Sequence, residues 1–187
     1  MKQIPNLLSA ARLALAPYFF LLLWREQYAI ALAVCVLCGV TDGLDGLAAR
    51  YFHANSRIGA YLDPIADKVL LSGAFVTLAL RGTIEIRLAA IVLGRDVFIL
   101  LMVAAGFLFT SVRSFPPTIW GKASTTAQIW FILMLIIHRA GFIGNTPVLL
   151  LQWLTVALAV WSGVDYAWRG LSILRRTDRG AAAIMEE

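Results

Sequence analysis

Four aspartates stand in an otherwise largely apolar sequence: Asp42 and Asp45, three residues apart, and Asp63 and Asp67, four apart. At helical spacing each pair shares one face of its helix. An ionised carboxylate inside a bilayer costs several kcal/mol, so residues of this kind usually mark a functional site. If the two helices are antiparallel neighbours, both pairs lie near the same end and the four carboxylates can converge. Four like charges cannot sit together uncompensated. Protons or cations must neutralise them, and hard divalent ions with oxygen ligands suit such a cluster best. A carboxylate not fully committed to metal can also deprotonate an attacking hydroxyl.

The residues around these carboxylates are small or cationic. Gly43, Gly46, Ala49 and Gly59 let a neighbouring helix or a bulky ligand approach the backbone. Arg50, one turn beyond Gly46, offers a planar fork for phosphate oxygens, or else pairs with an aspartate or reaches for lipid headgroups. Metal-binding carboxylates, a phosphate-binding arginine and a lipid setting together imply phosphoryl-type transfer. Two metal ions there can stabilise the attacking and leaving oxygens of an in-line displacement.

The elements that must position these groups are membrane helices. Of the 187 residues, 60% are hydrophobic and 14% charged, against about 45–50% and about 25% in soluble domains. A water-soluble chain of this size has no room to bury so much apolar surface. A bilayer core takes about 20 helical residues to cross, and six stretches fit: 7–24, 28–50, 61–80, 87–110, 121–138 and 147–170. Breakers separate them at Arg25-Glu26-Gln27, His53 to Ser56, Arg81-Gly82-Thr83, Pro116-Pro117 and Gly141 to Pro147. The predicted fold is therefore all-α, a polytopic bundle of six transmembrane helices over residues 1–170, with a basic cytoplasmic tail at 171–187.

Charge sets the expected orientation. Lys2, Arg12, Arg50, Arg57, Lys68, Arg113, Lys122, Arg169, Arg175, Arg176 and Arg179 fall at one side; Arg25, Arg81, Arg87 and Arg139 fall at the other. By the positive-inside tendency the first side is cytoplasmic and both termini lie there. The net charge of +5 is thus spread over segment ends, as expected for topology signals and anionic lipid, not concentrated on a face for nucleic acid. The three arginines of the tail read as a topology anchor ahead of a lipid-recognition site. Cys35 and Cys38 sit in an apolar run and read as small buried residues. His53 and His138 read as ordinary surface residues in connections. The stretch from Leu7 to Trp24 is too long for a signal-peptide core, so the N-terminus is expected to be retained.

The run Asp42-x2-Asp45-Gly46-x2-Ala49-Arg50-x8-Gly59-x3-Asp63-x3-Asp67 resembles the signature of the CDP-alcohol phosphatidyltransferase family at every fixed position. The resemblance extends to the six-helix plan. It implies release of CMP from a CDP-linked lipid and transfer of the remaining phosphate to an alcohol. By position, Asp42, Asp45, Asp63 and Asp67 are the implied ligands of two Mg²⁺ or Mn²⁺ ions, and Asp67 also the general base. Gly46, Ala49, Arg50 and Gly59 are the implied contacts of the CDP portion, and a homodimer is the implied assembly; the cytoplasmic membrane of a bacterium is expected from the small size and the lack of a targeting extension.

The opening Ile4-Pro5-Asn6-Leu7-Leu8-Ser9-x2-Arg12 and the run Leu62 to Lys68 resemble one branch of the family. That branch contains the phosphatidylglycerophosphate synthases and the CMP-forming cardiolipin synthases, both of which use CDP-diacylglycerol. Gly94-Arg95-Asp96-Val97 resembles the Arg-Asp-Val of the cardiolipin synthases, and Met102-Val103-Ala104 is apolar where the other subfamily carries a second arginine. Phosphatidylglycerol is accordingly the preferred acceptor, with glycerol 3-phosphate as the alternative. Arg95, Lys122 and Arg113 are the candidate acceptor contacts. For Arg95 a structural ion pair with another helix is the competing reading, and for Lys122 and Arg113 a topology signal. A small cation or proton transporter is the rival of a different class, since intramembrane carboxylates also build ion pathways. Such a pathway needs carboxylates spread along a route, whereas these gather at one end.

Overall fold

The computed structural model describes residues 4–37, 39–40, 57–109 and 118–185, and the side-chain environment of 14–37, 39–40, 67–106 and 118–170. Every element among the described residues is a helix. They are α1 (Ile4–Trp24), α2 (Tyr28–Leu37), α3 (Arg57–Leu80), α4 (Ile86–Phe109), α5 (Ile119–Arg139) and α6 (Thr146–Met185). Three of them carry stretches long and apolar enough to cross a bilayer: Ile86–Gly106, Ile119–Arg139 and Thr146–Gly170. Shorter apolar stretches run over Ala14–Trp24 and Tyr28–Leu37. The outward faces are apolar, with Leu80, Leu100, Ile119, Trp153 and Trp168 each more than half exposed. Exposed apolar side chains on long apolar helices suit lipid.

The chain forms two compact units, Met1–Ile86 with Ile129–Leu149 and Arg87–Gln128 with Leu150–Glu187. In the first, α1 packs on α3. Gly73 makes that approach possible, because a Cβ there would overlap the ring of Phe20. Phe75 of α3 and Phe131 of α5 stack with centroids 5.9 Å apart, and both are fully buried beside Leu22, Leu23 and Leu78.

Three helices of this unit end in the same way. The amide of Gln27 bonds to Leu22 O, that of Thr83 to Leu78 O and that of Phe142 to Ile137 O. Each follows a left-handed residue: Glu26 (φ 58), Gly82 (φ 71) and Gly141 (φ 88). These are Schellman ends, which satisfy carbonyls that the helix leaves open and normally demand glycine. Glu26 meets the demand without being glycine, and its carboxylate pairs with Arg81. Arg81 also lies 5.5 Å from the centroid of the Trp24 ring, and the Tyr28 hydroxyl lies 3.3 Å from Thr83 Oγ1. The ion pair is well exposed and contributes at most about 1 kcal/mol; the backbone bonds set the turn.

In the second unit α4 and α6 approach closely enough that a Cβ at Gly170 would overlap the Met102 methyl. Thr118 caps α5: its Oγ1 accepts the Gly121 N–H at 2.9 Å, while its own N–H donates to the Tyr166 hydroxyl at 3.3 Å. The α6 helix does not stop at 170. It continues through the stretch expected as a basic tail, to Met185. Leu174, Arg175, Arg176 and Ala181 to Ala183 are strong helix formers and no proline intervenes, so loss of hydropathy ends the apolar span without ending the helix.

Candidate functional site

The α3 helix orders half of the acidic set. Gly59, Asp63 and Asp67 fall at intervals of four residues within it, so they occupy successive turns of one stripe, about 6 Å apart along the axis. The Asp67 side chain is exposed and Lys68 beside it is half-buried. Asp42, Asp45, Gly46, Ala49, Arg50, Arg113, His53 and Cys38 lie outside the described residues. Among the described residues no three His, Cys, Asp or Glu side chains form a metal-binding group; the four-aspartate set extends beyond them. What α3 does provide is carboxylate oxygen on consecutive turns. That is the donor chemistry Mg²⁺ and Mn²⁺ take, so the residues present fit such ions.

The second unit holds a different constellation. The Arg95 guanidinium on α4 donates to Ser162 Oγ on α6 from both Nε (3.2 Å) and Nη2 (2.5 Å). Nη1 pairs with Asp96 Oδ1 at 2.8 Å, and Nη2 also lies 3.4 Å from Gly121 O on α5. Arg95 and Asp96 side chains are each only 8% exposed. The structural reading expected an ion pair with another helix; the ion pair is instead with Asp96 on α4 itself, and the partners on α6 and α5 are the neutral Ser162 hydroxyl and Gly121 carbonyl. Gly121 is closely surrounded here: a Cβ would stand 3.2–3.3 Å from Thr118 Oγ1, Arg95 Nη2 and the Tyr166 ring at once, so these groups would have to give by a few tenths of an ångström. Lys122 is exposed, one residue beyond this knot.

Ser162, Thr118, Tyr166 and Gln128 were not singled out from sequence. Isolated hydroxyls in apolar helices carry a signal, because Ser and Thr commonly bond across membrane helices, but the signal does not name the partner. Thr155 shows the same use: it is fully buried and its Oγ1 donates to Ala127 O at 3.3 Å. Two smaller expectations change. Cys35 is half-buried, not buried. His138 sits in the last turn of α5, with Nδ1 2.9 Å from Ile143 O, so it closes the α5–α6 connection locally.

Residues 2–161 match the model of the CDP-alcohol phosphatidyltransferase family, a stretch that contains all four aspartates, Arg95, Arg113 and Lys122. The chain belongs to this family. It is 34% identical over 178 residues to a cardiolipin synthase (CMP-forming) of Streptomyces coelicolor, covering 90% of this chain and 79% of that one. It is 31% identical over 183 residues to the CDP-diacylglycerol–glycerol-3-phosphate 3-phosphatidyltransferase of Aquifex aeolicus, covering 92% and 98%. A rat cardiolipin synthase (CMP-forming) is 40% identical over 114 residues, which are 60% of this chain and 36% of the rat protein. The chain thus spans about a third of the mammalian relatives it matches. Membership of a lipid phosphatidyltransferase family and the apolar helices together make this a membrane protein.

Proposed function

We propose that this protein transfers the phosphatidyl group of CDP-diacylglycerol to an alcohol acceptor and releases CMP. The observation that carries the reading is the family match over the stretch holding Asp42, Asp45, Asp63 and Asp67. These four carboxylates hold two Mg²⁺ or Mn²⁺ ions, with Gly46, Ala49, Arg50 and Gly59 receiving the CDP portion. When bound, the ions supply charge neutralisation for the pyrophosphate and for the attacking and leaving oxygens. The Asp67 carboxylate takes the proton of the acceptor hydroxyl. That oxygen forms a bond to the phosphorus carrying diacylglycerol, the bond from this phosphorus to the CMP oxygen breaks, and CMP leaves with the electron pair.

Phosphatidylglycerol is the preferred acceptor, which makes the activity that of a CMP-forming cardiolipin synthase. Glycerol 3-phosphate is the second reading, favoured by the relative aligned over nearly its whole length. Lys122 and Arg113 are cations for the acceptor phosphate, and Arg95 reaches it only by giving up partners it already has. The protein crosses the cytoplasmic membrane six times with both termini inside and works as a homodimer. The transporter reading has the family match against it.

The test of acceptor is CMP release by purified protein in detergent, with CDP-diacylglycerol, a divalent metal and either alcohol. Release with phosphatidylglycerol alone is the expected result. Release with glycerol 3-phosphate alone reassigns the acceptor, and release with neither rejects both.

A further inference from the structure

The first turn of α5 hangs on one residue. Thr118 makes three hydrogen bonds, each through a different atom. Its N–H donates to the Tyr166 hydroxyl on α6 at 3.3 Å, its Oγ1 accepts the Gly121 N–H at 2.9 Å, and its carbonyl accepts the Lys122 N–H at 3.1 Å. The last of these is an i→i−4 bond that opens the helix. Tyr166 is therefore joined to the Lys122 backbone through Thr118 alone. Thr118 is buried, so its N–H relies on the phenol and not on water.

Tyr166 touches this turn a second time. A Cβ at Gly121 would stand 3.3 Å from Tyr166 Cε2, so the ring packs against the Gly121 backbone. The Gly121 carbonyl is tied as well, by Thr125 Oγ1 at 3.2 Å and Arg95 Nη2 at 3.4 Å. Between these residues Trp120 meets Trp161 of α6 edge-on, with centroids 6.0 Å apart. Thr118, Trp120 and Gly121 thus each have a partner on α6, whereas Lys122, next along the chain, is exposed. An ammonium on a flexible four-carbon stem can point in many directions. Holding the backbone beneath it narrows those directions before a ligand arrives, which lowers the entropic cost of binding.

We infer that Tyr166 is a positioning residue for acceptor binding: by holding Thr118 and Gly121 it fixes the first turn of α5, and with it the place from which Lys122 reaches the acceptor phosphate. The inference rests on the proposed transfer, in which Lys122 is a cation for that phosphate. Tyr166 acts through Lys122 and needs no contact with either substrate.

The experiment is steady-state CMP release by the full-length protein in detergent. The acceptor is whichever of phosphatidylglycerol and glycerol 3-phosphate supports turnover, since both carry a phosphate. Wild type, Tyr166→Phe, Lys122→Gln and the double variant are compared. Phenylalanine keeps the ring against Gly121 and removes only the hydroxyl. Lys122→Gln should raise the acceptor KM about tenfold or more, as loss of a charge-assisted bond does. Tyr166→Phe should raise it by about threefold to tenfold, with the KM for CDP-diacylglycerol unchanged and kcat within about twofold of wild type. The double variant should match Lys122→Gln alone, because no ammonium is then left to place. A purely structural tyrosine would lower the fraction of active protein, and so kcat, with both KM values in place; that result overturns the inference. Independent, multiplying effects of the two substitutions on the acceptor KM also overturn it, since they would put the phenol itself on the acceptor. An unchanged acceptor KM in Lys122→Gln removes Lys122 from the acceptor site, and no CMP release from the wild type rejects the transfer; either result takes the inference with it.

Discussion

Arg95 on α4 grips Ser162 on α6 through two of its nitrogens, at 3.2 Å and 2.5 Å, although 67 residues separate them in sequence. Ser162 is fully buried and Arg95 nearly so, so this is an internal charge-assisted bond and not a surface contact. Ser162→Ala removes the acceptor, leaving Nε to find another partner and Nη2 with only the long bond to Gly121 O. The expected loss is about 1–3 kcal/mol, read as a fall in thermal midpoint in detergent, with the KM for acceptor unchanged. A raised KM at unchanged stability would instead make Arg95 an acceptor contact steered by Ser162.

Thr118 is the second point where one side chain sets a helix. Its hydroxyl caps α5 at 2.9 Å and the residue is buried, so water does not replace it. Thr118→Ala should cost about 1 kcal/mol while Thr118→Ser retains the bond. Comparison of the two thermal midpoints separates the cap from the packing of the methyl group.

Gln128 presents the opposite case. It is fully buried, its Nε2 donates to Ser124 Oγ at a long 3.3 Å, and its Oε1 has no hydrogen-bond partner among the described residues. Replacing both partners of an incompletely paired buried bond by apolar groups is often neutral or stabilising, whereas replacing one strands the other. Gln128→Leu with Ser124→Ala should therefore hold or raise the thermal midpoint. A fall of several degrees would show that the amide oxygen has a partner, such as a buried water, in the membrane.

What could be read from sequence follows from the range of each interaction. The ends of α1, α3 and α5 were legible as polar breaks at Arg25-Glu26-Gln27, Arg81-Gly82-Thr83 and from Gly141; the left-handed turn was announced by Gly82 and Gly141 but not by Glu26. The apolar stretches of α4, α5 and α6 agree with the expected spans to within a few residues, since hydropathy is itself the cause of the span. The continuation of α6 to Met185 was missed because hydropathy and helix propensity part company after Gly170. For the site, the spacing of Asp63 and Asp67 predicted one shared helical stripe, and α3 provides it. The Arg95–Ser162–Gly121 knot was illegible as a set, because it joins three helices whose pairing no local pattern encodes.

Asp63 and Asp67 share a stripe, yet their assigned work differs. Under the proposed function Asp63 is a metal ligand, so Asp63→Ala should weaken metal binding, moving the Mg²⁺ or Mn²⁺ titration of CMP release to about tenfold higher concentration or more. An unchanged titration midpoint would remove Asp63 from the ligand set.

The most direct measurement of the central claim is CMP release from CDP-diacylglycerol plus phosphatidylglycerol, by wild type and Asp67→Asn, with and without a chelator. The account predicts turnover by the wild type that chelator abolishes and excess Mg²⁺ or Mn²⁺ restores. It predicts a loss of at least about 10²-fold in Asp67→Asn, with the circular dichroism spectrum unchanged. Wild-type activity that persists in chelator, or full activity in Asp67→Asn, would contradict it.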